Sequence, residues 1–344
     1  MSHEAFHMAN ALSVPVNHGE IFVPRLIGEG KVDKSLRITK KDGRLLIPIL
    51  PQFREICNAD FQFRPRTVNR APFLKIREIA ESMGINHAIP ERWIRYGKSI
   101  LLNTESSIDE ELASVYARVL GVQKVYVSTG YVRGATRKPS VRLIFGNHGM
   151  VRHRENGVVY LFDPEQIMFS PGNVNVRGDL GIATENKVVI DFFSGIGYFS
   201  LPLAKFGNPS KVICVDINPA AIQFLEESSR ANHLTEHIET HLGDSSSIYL
   251  DTKGDVAIMG HFDSLDMLEN VLRNLKNQAI IVVHHLVKTA DLEDSGKAVR
   301  LRAESLGRIC KPIYSRIVKS YSPHVWHIVT AVEILCEVKD PTFG

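Results

Sequence analysis

Three acidic residues in the C-terminal half of the chain each follow an apolar segment. Asp191 ends the run Val-Val-Ile-Asp, Asp216 ends Ile-Cys-Val-Asp, and Asp244 follows Leu-Gly. A carboxylate at the end of a buried strand lies at the edge of the sheet, where it can accept hydrogen bonds from a ligand. Asp216 is suited to ribose hydroxyls and Asp244 to an adenine amino group. The pattern predicts a pocket for a nucleoside.

A glycine-containing turn follows the first of these acids. Gly195 and Gly197 precede Tyr198, and a glycine allows the backbone to approach a ligand where a Cβ atom would collide. A Gly-x-Gly turn alone is a weak signal, since a purely structural turn can contain it. Asp216, about 20 residues further on, favours a binding site. Ser200 occupies the third glycine position of the dinucleotide fingerprint, and Tyr198 crowds the pyrophosphate path, which disfavours NAD.

The elements that must position these residues alternate between strand and helix. Helices are predicted between the strands, and near-continuous apolar strands indicate a parallel sheet covered on both faces. Two long β runs, 313–320 and 325–338, predict an antiparallel hairpin at the end of the sheet. The strands are predicted at 187–193, 211–217, 238–242, 255–260 and 279–285, and the helices at 198–206, 219–232 and 264–274.

The N-terminal half contains shorter predicted elements. A hairpin is predicted at 35–50, where Pro48 and Pro51 limit it to a sheet edge, and helices are predicted at 73–83 and 108–120. Four short strands follow between residues 125 and 162. We therefore expect a basic N-terminal domain at 1–86, a mixed α/β domain at 87–168 and the nucleoside-binding α/β domain at 169–344.

Composition narrows the class of protein. The 44% hydrophobic and 23% charged content is typical of a globular protein, and no apolar run approaches the roughly 20 residues of a membrane span. The four cysteines are far apart, which disfavours a zinc site or a disulfide framework, and the first residues lack a secretory signal. We expect a cytoplasmic protein without a bound metal.

Basic residues are concentrated before the nucleoside-binding domain. The formal net charge is only +3, but one acid-free cluster could attract a polyphosphate backbone. Ordinary solvated surface is an equally good interpretation of charge alone. The cluster comprises Arg133, Arg137, Lys138, Arg142, Arg152 and Arg154.

Several segments together resemble a known family. Asp191-x-x-Ser-Gly-Ile-Gly-Tyr-Phe followed by Asp216-Ile-Asn218-Pro is similar to the class I methyltransferase fold, in the branch of the tRNA guanine-37 N1-methyltransferases and the wybutosine-synthesis aminocarboxypropyltransferases. The segment at 168–173, Met-Phe-Ser-Pro-Gly-Asn, matches the same branch. The segment at 257–263, the histidines at 284 and 285, and the run from Lys319 to His327 resemble the aminocarboxypropyltransferases.

The resemblance implies the reaction and the partners. S-adenosyl-L-methionine would be the cofactor, tRNA(Phe) the partner, and a 4-demethylwyosine-type guanosine at position 37 the acceptor of the 3-amino-3-carboxypropyl group. Its nucleophilic carbon would attack the γ-carbon, and methylthioadenosine would leave. Methyl transfer to N1 of guanine-37 is the alternative for the same fold and partner. A non-catalytic tRNA-binding protein that has retained the fold is a third possibility.

The resemblance also assigns roles to individual residues. Ser170 and Arg177 would contact the amino-acid part of the cofactor or hold the loop over it, Asp216 the ribose, and Asp244 with Ser245 the adenine. His261 is the candidate proton acceptor, although a lone histidine at a strand end is more often structural. The expected cofactor-binding set is Ser170, Arg177, Asp191, Gly195, Gly197, Tyr198, Asp216, Asn218, Asp244 and Ser245, and the expected RNA-binding set is Arg133, Arg137, Lys138 and Arg142.

Overall fold

The computed structural model describes residues 6–65, 71–85, 87, 89–104, 106–133, 138–169, 177 and 180–337. The chain divides into two compact units, Met1–Leu74 and Lys75–Gly344. The helices and strands below are numbered along the chain.

The first unit contains a four-stranded antiparallel sheet in the order β2-β3-β1-β4. Its core includes Val14, Leu26 and Ile47. The predicted hairpin forms β2 and β3. However, β3 is not at the edge of the sheet, because it lies between β2 and β1. Proline is tolerated there because Pro48 is the last residue of β3, so its missing amide does not interrupt the hydrogen-bond ladder. The elements are β1 (His7–Pro15), α1 (Gly19–Gly28), β2 (Thr39–Lys41), β3 (Arg44–Pro48) and β4 (Ala59–Phe63).

The second unit begins with a mixed sheet in the order β5-β6-β7-β8. The α3 helix starts where Asp109 accepts a hydrogen bond from the Leu112 amide and ends at Gly121, which has the left-handed conformation that favours glycine. The sequence did not predict β5 or β6. The elements are α2 (Ala71–Ser82), β5 (Trp93–Tyr96), β6 (Ser99–Asn103), α3 (Glu110–Leu120), β7 (Lys124–Arg133) and β8 (Lys138–Phe145).

A seven-stranded sheet follows, in the order β13-β12-β11-β14-β15-β17-β16. The first five strands in this order are parallel and β17 is antiparallel to both of its neighbours. The strands β9 (Val151–Glu155) and β10 (Val158–Phe162) precede it and form a separate two-stranded antiparallel sheet. The elements of the seven-stranded sheet and its helices are β11 (Val188–Asp191), α4 (Ser200–Phe206), β12 (Lys211–Asp216), α5 (Pro219–Ala231), β13 (Ile238–Leu242), β14 (Gly254–Met259), α6 (Leu268–Arg273), β15 (Leu275–Lys288), α7 (Lys297–Glu304), β16 (Arg308–Ser322) and β17 (Val325–Glu337).

Both faces of the seven-stranded sheet are covered. Val189 and Val212 pack in one core, whereas their neighbours Ile190 and Ile213 pack in the other, as alternation along a strand requires. The α/β sheet expected from residue 187 onwards is therefore present. The α7 helix was not predicted.

Packing places two elements differently from the expected domain limits. Ile76 and Ala80 of α2 lie in one core with Ile100 and Leu112, so the part of α2 after Leu74 packs in the second unit, although the expected first domain extends to residue 86. The β9–β10 hairpin is bound to the end of α5, where the Val159 amide donates to Asn232 Oδ1 at 3.0 Å. We propose the three-part division with these adjustments.

Candidate active site

A cavity of about 480 Å³ opens at the neighbouring strands β11 and β14. The chain continues from β11 to β12 and β13 on one side of the sheet, and from β14 to β15 on the other. In an open parallel sheet this switch point, at the carboxyl ends of the strands, is where ligands bind, and the volume suits a small molecule. Asp191 and Gly197 do not line the cavity, and Ser170 lies outside the described residues. The sequence-predicted residues that line it are Arg177, Gly195, Tyr198, Asp216, Asn218, Asp244, Ser245 and His261.

Asp216 is held in a fixed orientation at the end of β12. Its Oδ2 accepts from the Gly195 amide at 2.7 Å, and its Oδ1 accepts from the Asn218 amide at 2.8 Å. Burial raises the pKa of this carboxyl, while these two amides and the nearby His261 act in the opposite direction. Each carboxylate oxygen can accept a second hydrogen bond. The carboxylate can therefore accept from two neighbouring ribose hydroxyls without releasing the backbone.

Gly195 has a steric reason to be glycine. Its φ is +54°, and a Cβ atom there would lie 2.7 Å from the Tyr198 ring. That ring is fixed because its hydroxyl donates to the Met168 carbonyl at 2.6 Å. Gly197, with φ +89°, packs against Leu201 and Leu225. The first glycine therefore shapes the cavity wall, and the second allows close packing behind it.

Asp191 stabilises the turn that contains Gly195 and Gly197 from the buried side. Its side chain is fully buried, accepts from Ser200 Oγ at 2.7 Å and accepts from the Phe193 amide at 3.3 Å. Burial raises its pKa to about 7, against the opposing effect of these hydrogen bonds. Its position at a strand end agrees with the sequence prediction, but its burial indicates that it orders the turn and does not touch a ligand.

The Asp191→Asn variant should be more stable than the wild-type protein above neutral pH. Because the folded pKa lies above the unfolded value of 3.8, the wild-type protein loses stability as pH rises from about 4 to about 7. The difference between the two pKa values corresponds to about 4 kcal/mol. Denaturant melts across this range should show the gain of Asp191→Asn growing with pH. Asp255→Asn, at a carboxyl whose pKa is lowered, should show no such gain.

Asp244 and Ser245 lie at the end of β13. Asp244 is exposed, and the amide of Ser246, which donates to its Oδ1 at 2.8 Å, lowers its pKa. Ser245 is buried, and its hydroxyl donates to the Phe192 carbonyl. Asp244 is thus an ionised acceptor at the mouth of the cavity. The Ser245 hydroxyl can therefore accept a hydrogen bond from a ligand but has no hydrogen left to donate to it.

Arg177 occupies an aromatic environment beside Tyr198. Its guanidinium lies 4.8 Å from the centre of the Phe169 ring and 5.5 Å from that of Tyr198, and its Nε lies 3.1 Å from Glu155 Oε1. The residue is buried. A buried guanidinium paired with a carboxylate and stacked on two rings holds its neighbours in place. It also presents a positive charge to the cavity, as binding of a carboxylate requires.

His261 stacks on Phe193, with ring centres 5.6 Å apart. The Asp263 amide donates to His261 Nδ1 at 3.3 Å, and the Asp263 carboxylate Oδ2 lies 3.8 Å from the same nitrogen. His261 lines the cavity, and its role as proton acceptor, expected from the resemblance, stays a proposal.

The opposite wall of the cavity was not in the predicted site. It consists of Phe262, His284, Lys319, Tyr321 and His327, from the segment after β14 and from β15, β16 and β17. The sequence signal for it was the resemblance of the 257–263 segment, the 319–327 segment and the histidine pair. Trp326, in the same segment, does not line the cavity, and its indole donates to Thr289 Oγ1 at 3.0 Å.

The predicted RNA-binding residues are only partly described. Lys138 and Arg142 are exposed on β8. Arg137 and the side chain of Arg133 lie outside the described residues. Lys138 and Arg142 remain a proposal as phosphate contacts.

The described parts of the chain lack grouped metal ligands and membrane-spanning helices. Within the described ranges, no three His, Cys, Asp or Glu side chains are grouped as a metal site. Among the helices found there, none has the length and apolar character needed to cross a bilayer.

Comparison with known proteins identifies the family of this site. A family model described as the TRM5/TYW2 methyltransferase domain matches residues 151–308, and one described as the TYW2 N-terminal domain matches residues 77–149. The chain is 32% identical over 253 residues to the tRNA(Phe) (4-demethylwyosine(37)-C(7)) aminocarboxypropyltransferase of Pyrococcus horikoshii, covering 72% of this chain and 90% of that protein.

Solved structures agree with this assignment. The crystal structure of Pyrococcus horikoshii TYW2 in complex with MeSAdo matches with a TM-score of 0.64 and 28% identity, over 75% of this chain and 98% of that chain. The crystal structure of Trm5b from Pyrococcus abyssi matches with a TM-score of 0.63 and 25% identity, over 95% and 99%. The predicted class I methyltransferase fold is confirmed, and the chain belongs to the TYW2 aminocarboxypropyltransferase branch of the TRM5/TYW2 family.

Proposed function

We propose that this protein transfers the 3-amino-3-carboxypropyl group of S-adenosylmethionine to a 4-demethylwyosine-type guanosine at position 37 of tRNA(Phe), in wybutosine-derivative biosynthesis. The observation that carries the proposal is the 32% identity to a transferase of this name, over 90% of that protein. The protein is an S-adenosylmethionine-dependent transferase. We propose the cytoplasm as its location, where tRNA is modified.

The residues of the cavity fit S-adenosylmethionine. Asp216 would accept from the ribose hydroxyls beside the backbone amides that it already binds, and Gly195 presents backbone without a side chain. Asp244, which lines the cavity, would accept from the amino group of adenine, and Arg177 would offer its buried positive charge to the methionine carboxylate. The aromatic rings of Phe193 and Phe262 line the remaining space and exclude water.

The residues of this chain contribute to catalysis by orienting the cofactor more than by transferring protons. S-adenosylmethionine, when bound, supplies an electrophilic γ-carbon and a methylthioadenosine leaving group. Asp216 and the turn at Gly195 fix the nucleoside, while Arg177 would fix the far end of the amino-acid chain. Fixing both ends selects which carbon faces the acceptor, and alignment of reacting atoms at about 3 to 3.5 Å provides most of the rate.

The tRNA-binding surface is proposed to include Lys138 and Arg142. We expect Lys138→Ala with Arg142→Ala to weaken tRNA binding and to lower the slope of log affinity against log salt by about two units, since each phosphate contact contributes about 0.9. S-adenosylmethionine affinity should not change. Fluorescence anisotropy at several salt concentrations measures both the affinity and the slope.

A charge-matched control separates specific contacts from net charge. Arg230→Ala with Arg273→Ala removes two positive charges from helices, where each arginine pairs with a glutamate of its own helix. This variant should retain the wild-type salt slope. Equal slopes for both double variants would remove Lys138 and Arg142 from the proposed surface.

Isotope transfer tests the reaction itself. The protein is incubated with tRNA(Phe) carrying 4-demethylwyosine and with S-adenosylmethionine labelled either in its carboxyl group or in its methyl group. Label should enter tRNA from the carboxyl-labelled compound alone. Label from the methyl-labelled compound alone would establish the methyltransferase alternative. Binding of tRNA without transfer of either label would indicate a non-catalytic protein.

A further inference from the structure

The β9–β10 hairpin forms an ion pair with a residue of the cavity lining. Glu155, the last residue of β9, places its Oε1 3.1 Å from Nε of Arg177, and Arg177 lines the cavity. The side chain of Arg177 is 3% exposed and that of Glu155 is 10% exposed. A glutamate is rarely buried to this extent unless it is paired, so the ion pair with Arg177 accounts for its burial.

The hairpin that carries Glu155 is firmly attached to the catalytic sheet. Glu155 pairs with Val158 across a two-residue turn. Both turn residues, Asn156 and Gly157, have positive φ, as this tight hairpin turn requires. The hairpin is bound to the end of α5, and Lys205 of α4 donates to the Gly157 carbonyl at 2.8 Å. The Glu155 carboxylate is therefore held on a rigid support.

Two aromatic rings also pack against the guanidinium of Arg177. They belong to Phe169 and Tyr198. The Tyr96 hydroxyl donates to the Phe169 carbonyl at 2.8 Å and so fixes the position of that residue. Ring faces attract a cation with little directional preference, whereas a carboxylate pairs with the edge of a planar guanidinium. Glu155 is therefore the neighbour that sets the direction of Arg177.

We propose that Glu155 is a positioning residue, which orients Arg177 so that the guanidinium receives the carboxylate of the aminocarboxypropyl chain. The inference rests on the proposed function, in which Arg177 binds that carboxylate. Glu155 does not line the cavity and acts only through Arg177. Its charge also compensates a guanidinium that would be costly to bury alone. The hairpin thereby helps to fix the part of the cofactor that is transferred, whereas Asp216 fixes the nucleoside that leaves.

A change of side-chain length separates orientation from charge. Glu155→Asp keeps the negative charge but withdraws the carboxylate from Arg177 by one methylene group. We expect it to bind S-adenosylmethionine about tenfold more weakly, since a misdirected guanidinium loses part of its charged hydrogen bonding to the cofactor carboxylate. Affinity for methylthioadenosine should stay unchanged, because that compound lacks the aminocarboxypropyl chain. Calorimetric titration of the protein with each ligand measures both affinities.

Glu155→Gln is the complementary variant. Glutamine keeps the length of the side chain and an oxygen beside Arg177 but removes the charge. If Glu155 acts by position, Glu155→Gln should bind S-adenosylmethionine more tightly than Glu155→Asp does. The reverse order would show that charge, and not position, determines the affinity, and would overturn the proposal.

Arg177→Lys tests whether Glu155 acts through Arg177. Lysine keeps the charge but lacks the planar guanidinium, so S-adenosylmethionine should bind more weakly. In that background Glu155→Asp should cause no further loss, because the group that it orients is absent. Glu165→Asp is the matched control, which should bind both ligands normally. Glu165 is also a paired carboxylate, bonded to His148 and to the Leu143 amide, and does not line the cavity.

The outcomes separate this inference from the proposed function. Equal losses of affinity for both ligands in Glu155→Asp, unchanged affinity for S-adenosylmethionine, or additive losses in the double variant would each overturn the positioning role. None of these titrations needs an RNA acceptor. Absence of aminocarboxypropyl transfer by the wild-type protein would instead defeat the proposed function.

NMR relaxation of the wild-type protein gives a result that does not depend on the folding of any variant. The Nε–H group of Arg177, assigned from the spectrum of Arg177→Lys, should be as rigid as the backbone before the cofactor binds, because Glu155 already holds it. A group that is mobile without cofactor and becomes ordered only on binding would contradict the inference.

Discussion

The Asp216→Ala variant should bind S-adenosylmethionine at least about a hundredfold more weakly than the wild-type protein and should retain its affinity for tRNA. The reason is the loss of two hydrogen bonds to a charged oxygen pair, each of which contributes about 1.5 to 3 kcal/mol, and 1.4 kcal/mol corresponds to a factor of ten. Removal of the carboxylate also leaves the Gly195 and Asn218 amides without their acceptor. Calorimetric titration measures the cofactor affinity directly.

Glu239→Ala is a suitable control for Asp216→Ala. Glu239 is a carboxylate on the neighbouring strand β13, where it pairs with Lys211 away from the cavity lining. Its removal changes the net charge equally but should leave cofactor affinity unaltered. If both variants, or neither, lost affinity, the assignment of Asp216 to the ribose would fail.

The Gly195→Ala variant should lose at least tenfold in cofactor affinity while remaining folded. The added Cβ would lie 2.7 Å from the Tyr198 ring, so the ring must move and release the Met168 carbonyl that its hydroxyl holds. Overpacking of this kind costs about 1 to 3 kcal/mol. Because Gly195 and Tyr198 both line the cavity, the cost appears as weaker binding.

Gly121→Ala isolates the backbone component of this effect. Gly121 has a φ of +63°, close to the +54° of Gly195, but no atom of the described residues lies within 4 Å of the position of an added Cβ. This variant should lose about 1 kcal/mol of stability from its left-handed conformation and should bind the cofactor normally. Equal affinity losses at the two glycines would show that strain, and not the Tyr198 contact, is responsible.

The sequence predicted the half of the site that local patterns encode. Asp191, Asp216 and Asp244 each follow a strand, so their arrival at one edge of the sheet follows from the parallel order of those strands. The sequence pattern did not distinguish their environments. Only packing places Asp191 beneath the turn, bonded to Ser200, and leaves Asp216 at the cavity surface.

The other half of the site depends on contacts between distant parts of the chain. His284 and His327 are 43 residues apart and meet because β17 pairs with β15 in a register that no local pattern specifies. The same reason explains why the packing of α2 could not be predicted. The apolar face of α2 could be predicted from the sequence, but its packing against Ile100 and Leu112 could not.

The short strands β5 and β6 were missed for a related reason. Trp93–Tyr96 and Ser99–Asn103 are four and five residues long, too short for alternation to be distinguished from chance. Pairing of β6 with β7 stabilises them in the folded protein.

A crystal structure of the protein with S-adenosylmethionine tests the central claim most directly. The ribose hydroxyls should lie within hydrogen-bonding distance of Asp216, with the aminocarboxypropyl chain directed between Arg177 and the wall formed by His284 and His327. A ligand bound elsewhere, or a fully ordered cavity left empty at saturating cofactor, would contradict the account.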